Sequence, residues 1–154
     1  MYLLTLAIHS LLRWAVLGAG LVALVRALAG ARTRREWSAA DSRAGLWFVI
    51  AMDLQLLIGL VLYLALSPIT AVALQDFSGV MGNSMLRFWA VEHIVGMVAA
   101  VALVHIGRAR IRTTQDAARR HKLAAIFFGL ALVAIMATIP WPGTPAGRPL
   151  LRGL

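Results

Sequence analysis

The sequence predicts an all-α, polytopic membrane protein whose four transmembrane helices form an antiparallel bundle. Hydrophobic residues make up 61% of the 154-residue chain and charged residues only 14%, whereas a soluble domain carries about 25% charged residues. Four apolar runs, at about residues 2–29, 45–67, 86–107 and 123–140, reach the roughly 20 residues that a helix needs to cross a bilayer. Little remains for a soluble module, so we expect residues 1–154 to form a single membrane domain.

The first apolar run has no basic residue ahead of it and no small-residue cleavage pattern. We therefore interpret it as a retained helix rather than a signal peptide. It carries small residues at four-residue spacing, namely Ala15, Ala19, Ala23 and Ala27. Small residues four apart let helix backbones approach closely, so we expect helix 1 to pack tightly within the bundle.

The formal net charge of +9 is concentrated in two of the three connections between helices. Basic residues outnumber acidic ones in the first and third connections, and the second connection is nearly neutral. By the positive-inside rule, the two basic connections face the cytoplasm and both termini lie outside. This topology accounts for the arginines without a nucleic-acid partner. We expect a multi-pass protein of the bacterial inner membrane, with the lipid bilayer as its main partner.

The second connection and the tail contain strong helix breakers. Ser67-Pro68 ends helix 2, and residues 69–77 are too apolar for an ordinary loop and too short to span a bilayer. This segment could lie on the membrane surface and cover an outer-leaflet pocket, or it could be a packed connection, which we favour. Pro140-Trp141-Pro142-Gly143 ends helix 4, and the prolines that follow predict an extended tail over residues 141–154.

Two histidines on different helices are the best candidates for chemistry. At about 1.5 Å per residue, His9 lies ~10 Å and His93 ~12 Å below the outer helix ends. A histidine inside a bilayer is a functional candidate, and two at one depth suit the axial ligands of one haem b in the outer leaflet. Gly96 would make room for the porphyrin. The alternatives are interhelical hydrogen bonds, a non-haem metal and a proton relay.

Arg13 is the most costly residue of helix 1, because its guanidinium stays charged near the middle of the bilayer. Asp53 on helix 2 enters from the opposite surface and reaches a similar depth. We therefore predict a buried Arg13–Asp53 ion pair. The alternative is that Arg13 contacts a haem propionate, a quinone carbonyl or another anionic group.

Three further polar residues are candidates for the same site. Glu92 could accept a hydrogen bond from His9, pair with Arg13 or carry protons near a quinol. Gln55 could donate to a quinone oxygen, and Arg87 could pair with a propionate or with a lipid headgroup.

His105 and His121 form a second level near the cytoplasmic side. A second haem there would complete a transmembrane electron path. However, His93 and His105 are 12 residues apart in sequence and so point about 120° from each other. We favour an interfacial role for both, because His121 also lies within a basic cluster.

Several short motifs resemble a family of small four-helix bacterial membrane proteins that are often labelled cytochrome b-like. The motifs are HSLLRW at 9–14, LQLLIGL at 54–60, LRFWAVEH at 86–93, IGR at 106–108 and IPWP at 139–142. The resemblance spans nearly the whole chain. It implies four helices and points to His9, Arg13, Glu92 and His93 as site residues.

These observations predict a small b-type cytochrome that binds haem between helices 1 and 3. It would pass electrons between the quinone pool and a redox partner, rather than act as an enzyme on its own substrate. The chain has no cysteine, which excludes iron–sulfur clusters and covalent c-type haem. The main alternative is a non-catalytic subunit of a larger membrane complex. A transporter is a weaker alternative, because four short helices leave little room for a pathway.

Overall fold

The computed structural model describes residues 1–150, and this part of the chain is all-helical without β-strands. It forms six helices: α1 Tyr2–Thr33, α2 Ala39–Leu66, α3 Pro68–Gln75, α4 Phe77–Val80, α5 Ser84–Thr113 and α6 Ala117–Thr138. The helices α1, α2, α5 and α6 are each long and apolar enough to cross a membrane. The predicted multi-pass four-helix architecture is therefore confirmed, whereas the orientation of the termini stays a prediction.

The helices run beyond the apolar runs, mainly at the basic end of the bundle. α2 begins at Ala39 because Ser38 and Asp41 form a reciprocal capping box. α6 begins at Ala117, where the Asp116 carboxylate accepts a hydrogen bond from the backbone N–H of Arg119 at 2.7 Å. Hydropathy marks the part of a helix that lies in lipid, whereas caps such as these set where the helix begins.

The core lies between α1, α2, α5 and α6, where small and aromatic side chains interlock. Phe48 of α2 meets Phe128 of α6 edge to face, with ring centroids 5.6 Å apart. Ala23 and Ala27 of the predicted alanine series are buried, whereas Ala15 is exposed. Among the helix pairs that pack side by side, α2 and α5 contact each other least. This looser contact leaves room for a cavity.

Asp41 ties together α1, α2 and the connection between them. Its carboxylate accepts from Arg26 Nε at 2.9 Å and from Arg35 Nη1 at 2.6 Å. The Ser38 hydroxyl donates to the same carboxylate at 2.7 Å. The hydrogen bond to Asp41 raises the pKa of Arg35 above its ordinary value. The basic connection is thus held in one conformation by a fully hydrogen-bonded acid.

The apolar segment 69–77 is a packed helical connection that also covers a cavity. Ser67 caps α3, Pro68 occupies its first turn, and Thr70 and Ala73 are buried. Asp76 caps the short α4. The hydrogen bonds that it accepts from Gly79 N–H and Ser78 hydroxyl hold the pKa of Asp76 below its ordinary value.

The tail is not extended, in contrast to the prediction. The N–H of Arg148 donates to the carbonyl of Pro140 at 3.1 Å, and the N–H of Gly147 donates to that of Thr144 at 2.8 Å. Ala146 is buried. The prolines prevent a helix but permit successive turns, so the tail folds back onto the end of the bundle. Residues 151–154 of the predicted extended tail lie outside the described residues.

His121 is fully buried, with 0% of its surface exposed. The prediction of an interfacial position for it, based on the neighbouring basic residues, is therefore wrong. Its ring packs against Trp37, with centroids 4.9 Å apart, and against the backbone of Gly30. Any Cβ at position 30 would overlap the imidazole. Gly30 is therefore required for α1 to pack against α6.

We expect Gly30→Ala to destabilise the fold by about 1–3 kcal/mol, because the added methyl group overpacks the contact with His121. Gly18→Ala in the same helix is the matched control, since nothing lies within 4 Å of a Cβ there. Thermal unfolding of both variants in detergent, followed by circular dichroism, provides the measurement. Equal melting temperatures for the two variants would contradict the packing described above.

The predicted topology can be tested by labelling, because the chain contains no cysteine. Gly82 and Gln115 are exposed in connections at opposite ends of the bundle. We expect an impermeant maleimide to label Gly82→Cys in intact cells and Gln115→Cys only after lysis. The reverse pattern would place both termini in the cytoplasm.

Candidate functional site

His9 of α1 and His93 of α5 are brought together inside the bundle. Their ring centroids are 6.4 Å apart, and the ring planes cross at 72°. The two histidines thus lie at one level of the bundle, as expected from their distances to the helix ends. Helical rise alone fixes those distances. The pair forms part of the wall of two neighbouring cavities.

The orientation of His93 is set by a backbone carbonyl. Its Nδ1 lies 2.8 Å from the carbonyl oxygen of Thr138 on α6. A carbonyl only accepts, so Nδ1 carries the proton and Nε2 has a free lone pair. The rings of Phe88 and Trp89 flank the imidazole, with centroids 5.9 and 5.5 Å away. His93 thus has the tautomer and the fixed orientation that a metal ligand needs.

His9 is held differently, by the side chain of Gln55 on α2. The Gln55 amide nitrogen lies 3.2 Å from His9 Nε2 and donates to the His9 carbonyl at 3.1 Å. Gly59 lies against the other side of the ring, and a Cβ there would be 3.1 Å from His9 Cε1. Gln55, a candidate donor to a quinone oxygen, orients His9 in this structure.

Two cavities of about 90 Å³ and 60 Å³ adjoin the histidine pair. They share eight lining residues: Leu6, His9, Met52, Gln55, Trp89, His93, Met97 and Arg148. The larger cavity opens between α2 and α5 beneath α3, and the smaller one extends toward Arg13 and the tail. Since α3 lines the larger cavity through Ile69 and Thr70, the packed connection also covers it.

Four of the six buried side-chain polar atoms that lack a partner in residues 1–150 lie around these cavities. Within residues 1–150, His9 Nδ1, Gln55 Oε1, Trp89 Nε1 and Arg13 Nε make no hydrogen bond. Burying a polar group without a partner costs about 1–3 kcal/mol, so four in one place indicate a site for a polar or metal-containing ligand or for ordered water.

Arg13 does not form the predicted ion pair with Asp53. Arg13 is only 8% exposed, and its guanidinium donates to the carbonyl of Leu150 at 2.6 Å and approaches the Ser10 hydroxyl at 3.4 Å. Asp53 pairs with His105 instead. The two residues reach similar depths but face different sides of the bundle, which distance along the helix does not reveal.

Arg148 was missed by the sequence analysis, because an extended tail would have carried it away from the bundle. It lies over the ring of Trp89, with its guanidinium carbon 5.4 Å from the ring centroid, and lines both cavities. Trp89 is also a cavity residue. Its position four residues before the candidate ligand His93 was the available sequence signal.

Three of the predicted site residues lie away from the cavities. Arg87 and Glu92 form an ion pair of 2.7 Å on the surface of the bundle, where their side chains are 38% and 46% exposed. Gly96 packs against Thr138 of α6, so it serves helix contact rather than a porphyrin. A π-helical turn over Phe88–Glu92 changes the direction in which these side chains point, compared with a regular α-helix.

The second level of histidines does not form a site in the described chain. His105 is bonded to Asp53 on the surface between α2 and α5. His121 is buried between α1 and α6 against Gly30. The two residues therefore occupy different sides of the bundle.

No protein-family model, curated protein or solved structure matches this chain. The resemblance to cytochrome b-like proteins therefore rests on the motifs alone, and the site has to be interpreted from its own chemistry.

We expect Arg13→Gln to loosen the tail, because the bond from the guanidinium to the Leu150 carbonyl is lost. Hydrogen–deuterium exchange should rise in residues 141–150, including the amide of Arg148, while α6 stays protected. Arg87→Gln is the control, since Arg87 bonds to Glu92 and Met81 but not to the tail. Unchanged exchange in Arg13→Gln would show that the tail does not depend on this contact.

Proposed function

We propose that this protein is a small membrane-embedded b-type cytochrome of the bacterial inner membrane, with haem b held by His9 and His93. It would transfer electrons between the quinone pool and a redox partner. The observation that carries the proposal is the burial of two histidines from different helices with ring centroids 6.4 Å apart.

The spacing of the rings would let both imidazoles hold one metal-containing group. With metal–nitrogen bonds of about 2 Å, as for imidazole on zinc, ring centroids 6.4 Å apart are within reach of one shared metal ion. No third His, Cys, Asp or Glu joins them in the described chain. Two histidines without carboxylates favour haem over a non-haem metal.

The surroundings of the histidines also suit this cofactor. The lining is mainly apolar, and Met52 and Met97 are adaptable side chains at its centre. Arg13 and Arg148 line the smaller cavity and could neutralise the propionates, a role for which Arg13 and Arg87 were candidates from the sequence. Haem supplies reversible one-electron chemistry when bound.

Each residue of the site has a distinct task in this proposal. The Thr138 carbonyl holds His93 with Nε2 free, so this ligand is preorganised. Gln55 occupies His9 Nε2 and has to release it before that nitrogen can bind a metal, while its bond to the His9 carbonyl can persist. The wall that α2 and α5 contribute to the larger cavity is mainly apolar.

We expect His9→Ala and His93→Ala each to abolish a low-spin haem spectrum in protein purified from haem-replete cells. His105→Ala is the matched control, because His105 is a membrane histidine that does not line either cavity. The measurements are a reduced-minus-oxidised absorption spectrum and a pyridine haemochrome assay, with about one haem b per chain expected.

A folded, haem-free wild-type protein would overturn the proposal. Loss of haem in His105→Ala together with the other two variants, at unchanged stability, would contradict the assignment of the ligands. If the wild-type protein is folded and free of haem, a non-catalytic subunit of a larger membrane complex becomes the leading alternative.

A further inference from the structure

A polar pair on the surface of the bundle has no role in the site described above. His105 Nε2 of α5 lies 2.7 Å from Asp53 Oδ1 of α2, and the two side chains are 50% and 42% exposed. Asp53 lies in the middle of the 28-residue α2, ~20 Å from either end. The pair therefore faces outward from the membrane-spanning part of the bundle.

This exposure distinguishes the pair from the other acids of the long helices. Asp41 is buried and saturated by its arginines, and Glu92 lies near the end of α5. Ionisable residues at membrane depth usually face the bundle interior or water, because lipid does not solvate them. The Asp53–His105 pair uses only one hydrogen bond in the described chain, leaving Asp53 Oδ2 and His105 Nδ1 open to further partners.

The exposed part of α5 beside the pair combines small and large residues. Ala102 and Ala109 lie three and four residues from His105 and are exposed, as are Val98 and Ile106. Small residues combined with a polar side chain are what closely packed transmembrane helices use at their contacts.

We propose that the α2–α5 face is the interface of a homodimer, in which Asp53 pairs with His105 of the partner subunit. Two copies with the same membrane orientation are related by a two-fold axis along the membrane normal. Because Asp53 and His105 lie side by side at one depth, this rotation places the acid opposite the imidazole of the other copy. The face is therefore complementary to itself in charge, and Ala102 allows the backbones to approach.

The absence of cysteine allows a direct test in native membranes. We expect mild oxidation to link Ala102→Cys into disulfide-bonded dimers, and to leave Val133→Cys on the opposite, lipid-facing side of α6 monomeric. Equal cross-linking of both variants would indicate random collision and overturn the proposal, as would cross-linking of Ala102→Cys only to other proteins. No cross-linking of Ala102→Cys, with the protein folded, would also overturn it.

The polar contribution can be measured separately. We expect Asp53→Asn to raise the dissociation constant of the dimer in lipid vesicles roughly tenfold, since two interhelical bonds weaken at once. Glu92→Gln, which removes an exposed pair near the end of α5, should leave it unchanged. Dissociation is followed by single-molecule photobleaching at decreasing protein density. A wild-type protein that is monomeric at every density would refute the interface, whether or not haem is bound.

Discussion

The whole molecule is constrained by the scarcity of hydrogen-bonding partners for polar side chains in a bilayer. In water an unpaired guanidinium or carboxylate is solvated, but in lipid it needs a partner from the protein. Asp41 shows one solution, because arginines from α1 and from the following connection saturate its carboxylate. Arg13 shows another, since the tail returns to supply a backbone carbonyl. Other polar groups within residues 1–150 are left incomplete, among them those around the His9–His93 cavities and the exposed Asp53–His105 pair.

The four helices and the shared depth of the histidines could be predicted from sequence for a simple reason. Hydropathy sums over about 20 residues, so single exceptions such as Arg13 do not hide a span. Depth depends only on a constant rise per residue, so the levels of His9 and His93 needed no knowledge of packing. Both quantities are one-dimensional, and the sequence contains them directly.

Which way each residue faces was much harder to predict. Arg13 and Asp53 match in depth but lie on different sides of the bundle, so that His105 rather than Arg13 binds the carboxylate. Near His93, the π-helical turn over Phe88–Glu92 widens the helix and changes the angle between neighbours. Its backbone is held from α2, because the Tyr63 hydroxyl donates to the carbonyl of Ala90 at 2.7 Å. Such a turn depends on contacts between helices, which a helical wheel does not include.

The two candidate ligands differ in a way that bears on how the cavity functions. His93 is fixed by a carbonyl that can only accept, so its free nitrogen is available without rearrangement. His9 has its Nε2 engaged by Gln55, and its Nδ1 is buried beside Gly59 without a partner. An imidazole that binds through one nitrogen needs a partner at the other to hold its tautomer. The carbonyl oxygen of Gln55 is itself unpaired, so a rotation of this amide could release Nε2 and still keep the residue beside His9. His9 and Gln55 are therefore the adjustable half of the site, and His93 with Thr138 is the rigid half.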